Sequence, residues 1–190
     1  NPMTLGAVGM PDIYTEARKA QDEAFKATLP YIEKAWDEFG KQFGRHYKPV
    51  ETYKADDAET ILICMGSLSE TATTAVDHLR SQGKKVGLVR IRLFRPFPAE
   101  ALFSAIKGAK NVIVLDRVTS FAGGHVSGPV ALEVKSVLWD RKCYPKLRNF
   151  LVGLGGRDTT VENFEEMLEK VAASKDDGVA PAYEFINVRE

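Results

Sequence analysis

Cysteine is scarce in this chain: Cys64 and Cys143 are the only two among 190 residues. Two thiols cannot hold an iron–sulfur cluster or a structural zinc alone. The three histidines, His46, His78 and His125, make no metal-ligand spacing, so no metal-binding residue is assigned. Cys64 sits in an apolar run that reads as a buried strand, so a reducing, cytoplasmic setting fits better than a disulfide scaffold. Net charge is lacking too: 26 basic and 26 acidic residues cancel, leaving no field to draw nucleic acid or an anionic membrane. No apolar run reaches the roughly 18–20 residues that span a bilayer, and no secretory signal opens the sequence. Repeats and low-complexity tracts are absent. The chain starts Asn1-Pro2 rather than with methionine, and we expect a fragment of a longer polypeptide.

What is present is hydrophobic patterning of an α/β kind, with 44% apolar and 27% charged residues. The stretch from Ile61 to Pro98 reads as one βαβ unit. Ile61–Met65 is a continuous apolar run suited to a strand covered on both faces. Ser67 or Ser69 is expected to cap a helix over Glu70–Ser81, with Ala72, Ala75, Val76 and Leu79 inward. A second strand runs from Val86 to Leu93 and ends at Arg95-Pro96-Phe97-Pro98. Further strands are expected at Asn111–Leu115 and Asn149–Leu154, and helices at Ala99–Gly108, Val130–Trp139 and Val161–Ala173. Asp158 or Thr159 is the expected cap of the last helix. Ahead of this core, Asn1–Pro11 reads as a loop, and Asp12 as the cap of a helix over Ile13–Phe39, kinked at Pro30. Phe25, Tyr31, Trp36, Phe39 and Phe43 give that segment an aromatic surface, either local core or partner contact. Val50–Tyr53 is a possible edge strand, and Tyr183–Val188 can dock as a strand or on a partner. The expected organisation is a linker and helical extension (1–58), an α/β domain (59–175) and a tail (176–190). The fold class is a three-layer α/β/α sandwich with a mainly parallel sheet.

Parallel sheets place ligands at the carboxyl ends of their strands. Four loops qualify: Gly66–Ser69, Arg95–Pro98, Asp116–Pro129 and Gly153–Thr160. Phe121, Gly123, Gly124 and His125 lead into a helix, so their backbone amides can cradle an anion. Gly155, Gly156, Arg157 and Asp158 form a second glycine turn. Neither has dinucleotide-fingerprint or P-loop spacing, and tight turns or interface contacts explain glycine equally well. Ser120, His125 and Asp116 allow a hydrolase reading, but no G-x-S-x-G elbow is present. Arg90, Arg92 and Arg95 read as solvated or interface pairing rather than a substrate clamp. No catalytic or cofactor-binding residue is assigned.

Several ordered motifs resemble one family. Cys64-Met65-Gly66-Ser67, Val89–Pro98, Val114-Leu115-Asp116-Arg117 with Ser120-Phe121, and Gly153–Asp158 look like domain II of pyruvate:ferredoxin oxidoreductases, or more broadly the α subunits of 2-oxoacid:ferredoxin oxidoreductases. The likeness covers about Thr60 to Ala173. Pro11–Tyr14 and Phe39–Arg45 resemble the segment that comes after the pyrimidine-binding domain there. One departure is visible: Ala122 and His125 stand where the family commonly shows a glycine-rich stretch after Ser-Phe. The resemblance implies a transketolase C-terminal-like fold. It also implies a non-catalytic, assembling part of an enzyme that oxidatively decarboxylates a 2-oxoacid such as pyruvate or oxalate. Thiamine diphosphate, magnesium and 4Fe-4S clusters would be held by other domains or subunits, and ferredoxin would take the electrons. A hetero-oligomer or a dimer of multi-subunit units is expected, with no nucleic acid or membrane partner. The alternative is a free-standing anion- or phosphate-binding module.

Overall fold

The computed structural model describes residues 6, 8–174 and 181–189. The chain divides into two compact units, Asn1–Lys48 and Pro49–Glu190. In the first, α1 (Pro11–Lys26) and α2 (Leu29–Phe43) replace the single kinked helix expected. Pro30 lies in the first turn of α2, where its missing N–H costs nothing, so the helix restarts there instead of bending. Met10, not Asp12, occupies the N-cap of α1, and Asp12 lies in its first turn. Most of the expected opening loop, Asn1–Pro11, lies outside the described residues. Trp36, Phe39, Phe43 and Tyr47 make a small ring cluster, with Phe39 and Tyr47 stacked at 5.8 Å. Trp36, Phe39 and Tyr47 are half-buried in it, whereas Phe25, Tyr31 and Phe43 are exposed.

The second unit is a six-stranded sheet in the order β1-β3-β2-β4-β5-β6. Its strands are β1 (Val50–Tyr53), β2 (Thr60–Met65), β3 (Val86–Ile91), β4 (Asn111–Asp116), β5 (Lys146–Leu151) and β6 (Glu184–Phe185). All pairs are parallel except β1 with β3. Helices α3 (Leu68–Ser81) and α6 (Val161–Ala173) cover one face, while α4 (Ala99–Ile106) and α5 (Pro129–Asp140) cover the other. This is the three-layer α/β/α sandwich with a mainly parallel sheet. Parallel strands buried on both faces explain why β2 and β4 read as unbroken apolar runs rather than alternations. Leu62 and Ile113 face the α3/α6 layer, and Ile61, Ile63, Val112 and Val114 face the α4/α5 layer. Phe150 and Phe164 are fully buried, each contributing roughly 1.5–3 kcal/mol from area removed from water.

Several boundaries differ from expectation for local reasons. The strand expected at Asn149–Leu154 is β5, beginning at Lys146 and ending at Leu151; Gly153 takes a left-handed conformation and stops the ladder. Neither Asp158 nor Thr159 caps α6. Thr160 does, with its backbone N–H donating to Asn163 Oδ1 at 3.0 Å. Ser67 stands at the N-cap of α3 without a side-chain bond, and Ser69 Oγ instead donates to Gly66 O at 2.5 Å. Val50–Tyr53 does join the sheet as its antiparallel edge, and residues 184–185 of the tail add a short parallel strand at the other. Among the described residues no helix is long and apolar enough to cross a membrane.

Cys64 is fully buried in β2, and desolvation pushes its thiol up to about 12. Cys143 is only half-buried. Titration with an aromatic disulfide reagent at pH 8 should therefore modify Cys143 alone in the native chain. Cys64 should react only on unfolding; equal rates for both thiols would contradict the buried placement of β2.

Candidate functional site

Consecutive strands β2 and β3 step one way in the sheet, and β4 then lies on the other side of β2. The loops after β2 and β4 leave toward opposite faces, which makes the carboxyl edge the place to look for a site. The anchor of this edge is Asp116, the last residue of β4, only 1% exposed. Its Oδ1 accepts the N–H of Val130 at 2.8 Å, and its Oδ2 accepts those of Ala131 at 3.1 Å and of Asn149 Nδ2 at 2.9 Å. Asn149 in turn accepts the Gly128 N–H through Oδ1 at 2.8 Å and donates to Val114 O at 3.0 Å. The carboxyl of Asp116 thus satisfies two free N–H groups at the start of α5, where the helix dipole favours a negative charge. A Cβ at Gly128 would lie 2.4 Å from the Asp116 carboxyl carbon, so only glycine permits the approach. Burial raises the Asp116 pKa, while the Val130, Ala131 and Asn149 donors pull it back down.

From this anchor, residues 117–128 project outward as a braced loop. Ser120 Oγ donates to Val126 O at 2.9 Å, and Ser127 Oγ donates to Ala182 O at 2.7 Å. Arg117 Nη2 donates to Gly153 O at 3.2 Å, joining this loop to the neighbouring turn. That turn is tied to the tail, since Arg157 Nη1 donates to Asn187 O at 2.5 Å and Asn187 Nδ2 donates to Asp158 O at 3.0 Å. The two candidate loops therefore lie along one edge, but no hydrogen bond among the described residues joins Phe121, Gly123, Gly124 or His125 to Gly155, Gly156, Arg157 or Asp158.

Gly123, Gly124, Gly155 and Gly156 have φ of 61°, 81°, 63° and 81°, and no protein atom crowds the last three. Backbone conformation alone accounts for glycine at these positions, without a ligand approaching closely. The hydrolase reading fails on geometry. Ser120 Oγ is bonded to a carbonyl, Asp116 is spent on α5, and His125 is exposed with only its backbone N–H placed, on Ala122 O. Arg90, Arg92 and Arg95 find carboxylates inside the chain. Arg90 pairs with Glu70 at 3.0 Å, Arg92 holds Glu51 through two bonds at 2.7 and 2.9 Å, and Arg95 pairs with Glu133. Among residues that no sequence motif singles out, His78 meets Glu165 at 3.0 Å and Gln82 donates to the same oxygen at 2.8 Å, joining α3 to α6. Asn149, Ser127 and Lys135, whose Nζ donates to Ser127 Oγ at 2.6 Å, likewise carry no local signal.

Among the described residues no three or more His, Cys, Asp or Glu side chains gather as metal ligands. A cavity of about 480 Å³ lies at the amino ends of β2 and β3, lined by Glu59, Thr60, Lys85, Asn111 and Glu169 together with Val86 and Leu168, at the end of the sheet away from the candidate loops. What the carboxyl edge does present is uncovered apolar area. Phe121 is 90% exposed, and Val118, Val126, Leu154, Phe185 and Val188 are exposed beside it in sequence or on the adjoining turn and tail. A groove of about 340 Å³ is lined by Leu154, Arg157, Phe185 and Val188. Uncovered apolar area of this kind is a common feature of protein contact surfaces.

The family model for pyruvate:ferredoxin oxidoreductase core domain II matches residues 58–164. The pyruvate synthase subunit PorA of Methanothermobacter thermautotrophicus is 43% identical over 169 residues, covering 89% of this chain and 42% of that relative. The corresponding subunit of Methanocaldococcus jannaschii is 39% identical over 178 residues, 93% of this chain and 44% of its own length. The ketoisovalerate oxidoreductase subunit VorA of Pyrococcus horikoshii is 39% identical over 170 residues, 89% and 42%. The chain thus spans less than half the length of these curated relatives. Among solved structures, a 2-oxoglutarate:ferredoxin oxidoreductase from Magnetococcus marinus overlaps 66% of this chain and 20% of its own, at a TM-score of 0.46 and 20% identity.

Replacing Asp116 by Asn turns an amide NH2 toward N–H donors and should cost roughly 1–3 kcal/mol in denaturant unfolding at neutral pH. Because the folded carboxyl has a raised pKa, its own contribution is fully present below about 3.8 and is lost as pH rises through the folded value. The gap between wild type and Asp116→Asn should therefore widen toward acid, and a gap that narrows there would mean that the Val130, Ala131 and Asn149 donors outweigh burial at this carboxyl.

Proposed function

Because the chain belongs to the pyruvate:ferredoxin oxidoreductase core domain II family, we propose that it serves as the bracing and assembling part of a 2-oxoacid:ferredoxin oxidoreductase. The enzyme as a whole would oxidatively decarboxylate a 2-oxoacid and pass the electrons on to ferredoxin. Relatives named for pyruvate and for ketoisovalerate leave the substrate class at 2-oxoacids. Thiamine diphosphate and iron–sulfur clusters would supply the covalent and electron-transfer chemistry when bound to the complex. In this reading other domains or subunits would hold both groups, which is supported by one of the two cysteines being sealed in the core and by no three His, Cys, Asp or Glu side chains gathering among the described residues.

Its own residues would act mechanically. The Asp116–Asn149 network holds the start of α5 and the base of the 117–128 loop, and Arg117 and Arg157 fasten the adjoining turn and tail. A rigid edge loses little conformational freedom when it docks, which favours association. The observation that carries this reading is the exposed apolar edge on a loop tied at Arg117, Ser120 and Ser127, in a family whose named members are subunits.

Anaerobic purification of the native protein through a tag on this chain tests it. The reading expects bound thiamine diphosphate, iron–sulfur absorption and 2-oxoacid-dependent reduction of a viologen dye in the purified complex, and none of these in the chain alone. Turnover by the isolated chain would overturn it, as would an isolated chain that binds inorganic phosphate and loses it in Gly124→Val.

A further inference from the structure

The cavity at the amino ends of β2 and β3 lies away from the carboxyl edge, and its charges do not all find partners. Its floor is aliphatic: Val86 and Val171 are buried and Leu168 is half-buried, with no aromatic ring among the described lining residues. Its volume, about 480 Å³, falls within the roughly 300–1,000 Å³ of small-molecule pockets.

The charged side chains among the described lining residues are Glu59, Lys84, Lys85 and Glu169. Glu59 is taken up by Lys110 at 2.8 Å and by Lys85 at 3.5 Å. Half-buried Lys84 has no carboxylate within ion-pair distance among the described residues. Its charge is felt by Glu165 on α6, which is itself bonded to His78 and Gln82. Exposed Glu169 meets no cation among the described residues either, and its neighbour Lys170 turns to Glu166 and Glu184. A cation and an anion thus line one cavity without meeting each other. Asn111 adds a neutral acceptor, since its Nδ2 donates to Thr60 Oγ1 at 3.1 Å and leaves Oδ1 to accept.

Such a lining complements a ligand with one positive group, one negative group and an aliphatic body. A simple anion would leave Glu169 facing a like charge, and a simple cation would leave Lys84 doing so. The relatives named for pyruvate and for ketoisovalerate point to one class of zwitterion. Exchanging the carbonyl oxygen of an aliphatic 2-oxoacid for an amino group yields an aliphatic α-amino acid.

From these observations we infer that the cavity binds a free aliphatic α-amino acid, its carboxylate on Lys84, its ammonium on Glu169 and Asn111 Oδ1, and its side chain against Val86, Leu168 and Val171. The charge pattern carries the zwitterion, and the choice of an α-amino acid rests on the 2-oxoacid reading above.

The test takes native protein purified through a tag on this chain, in whatever assembly it enters, and measures radiolabelled L-valine by equilibrium dialysis. Saturable binding at one site per chain is expected. To displace it, 3-methylbutanoate, which lacks the ammonium, and 2-methylpropylamine, which lacks the carboxylate, should each need about tenfold higher concentration than valine or more. Lys84→Gln and Glu169→Gln should each weaken binding about tenfold or more at unchanged melting temperature, because neither side chain makes an ion pair in the chain. If Lys84→Gln lowers the melting temperature, Glu169→Gln decides: weakened binding supports the site, and wild-type binding overturns it. No saturable binding up to about 10 mM overturns the inference. So does binding that neither variant weakens, which would put the amino acid elsewhere in the assembly. Displacement by 3-methylbutanoate as readily as by valine would make this a carboxylate site and overturn the zwitterion. Valine binding lost in both variants, in a protein that oxidises no 2-oxoacid, supports the site and removes only the assembly reading. A 2-oxoacid-oxidising complex without valine binding removes only this inference.

Discussion

The carboxylate of Asp116, buried at the end of β4, is the constraint on which the carboxyl edge depends. Taking a carboxylate out of water is costly, and here the cost is offset by three N–H donors and by the positive end of α5. The same contacts fix where α5 begins and hence where the preceding loop must return. Asn149, one strand over, completes the network by holding both Asp116 and Gly128. Sheet, helix and loop are thus joined through two side chains, and Gly128 is required because Asp116 occupies the space a Cβ would need.

From that joint the outer features extend in layers. Arg117, next to Asp116, reaches the turn after β5; that turn, through Arg157 and Asp158, reaches the tail at Asn187. The tail pairs with β5 and buries Ile186 in the core. Each link is modest alone, but together they join the loop, the turn and the tail along one edge. The family to which the chain belongs has named members that are oxidoreductase subunits, and the proposed assembling role draws on that membership.

Much of the fold is legible in the sequence. β2 and β4 announce themselves as apolar runs because both faces of a parallel strand are covered, and α3 and α6 show their inward faces at helical spacing. β5 starts three residues ahead of its apolar signal because Lys146 and Arg148 open it with polar side chains. The cap of α6 is ambiguous in sequence because Asp158, Thr159 and Thr160 are all good capping types and only the chain path chooses among them. The Asp116–Asn149 pair is hidden for a different reason. The two residues are 33 positions apart and meet only because β4 and β5 are neighbours, which no local pattern encodes. The candidate loops stand out by their glycines, and each of those glycines takes a left-handed backbone conformation that favours glycine by itself.

Amide hydrogen exchange at Gly128, Val130 and Ala131 tests the central claim most directly. If Asp116 and Asn149 hold these three N–H groups, they should exchange only through openings nearly as costly as those that expose the amides of β4, and far more slowly than Gly123 and Gly124. Exchange of all three at the rate of the exposed loop would mean that the anchor is not formed in solution, and the braced carboxyl edge would fall with it.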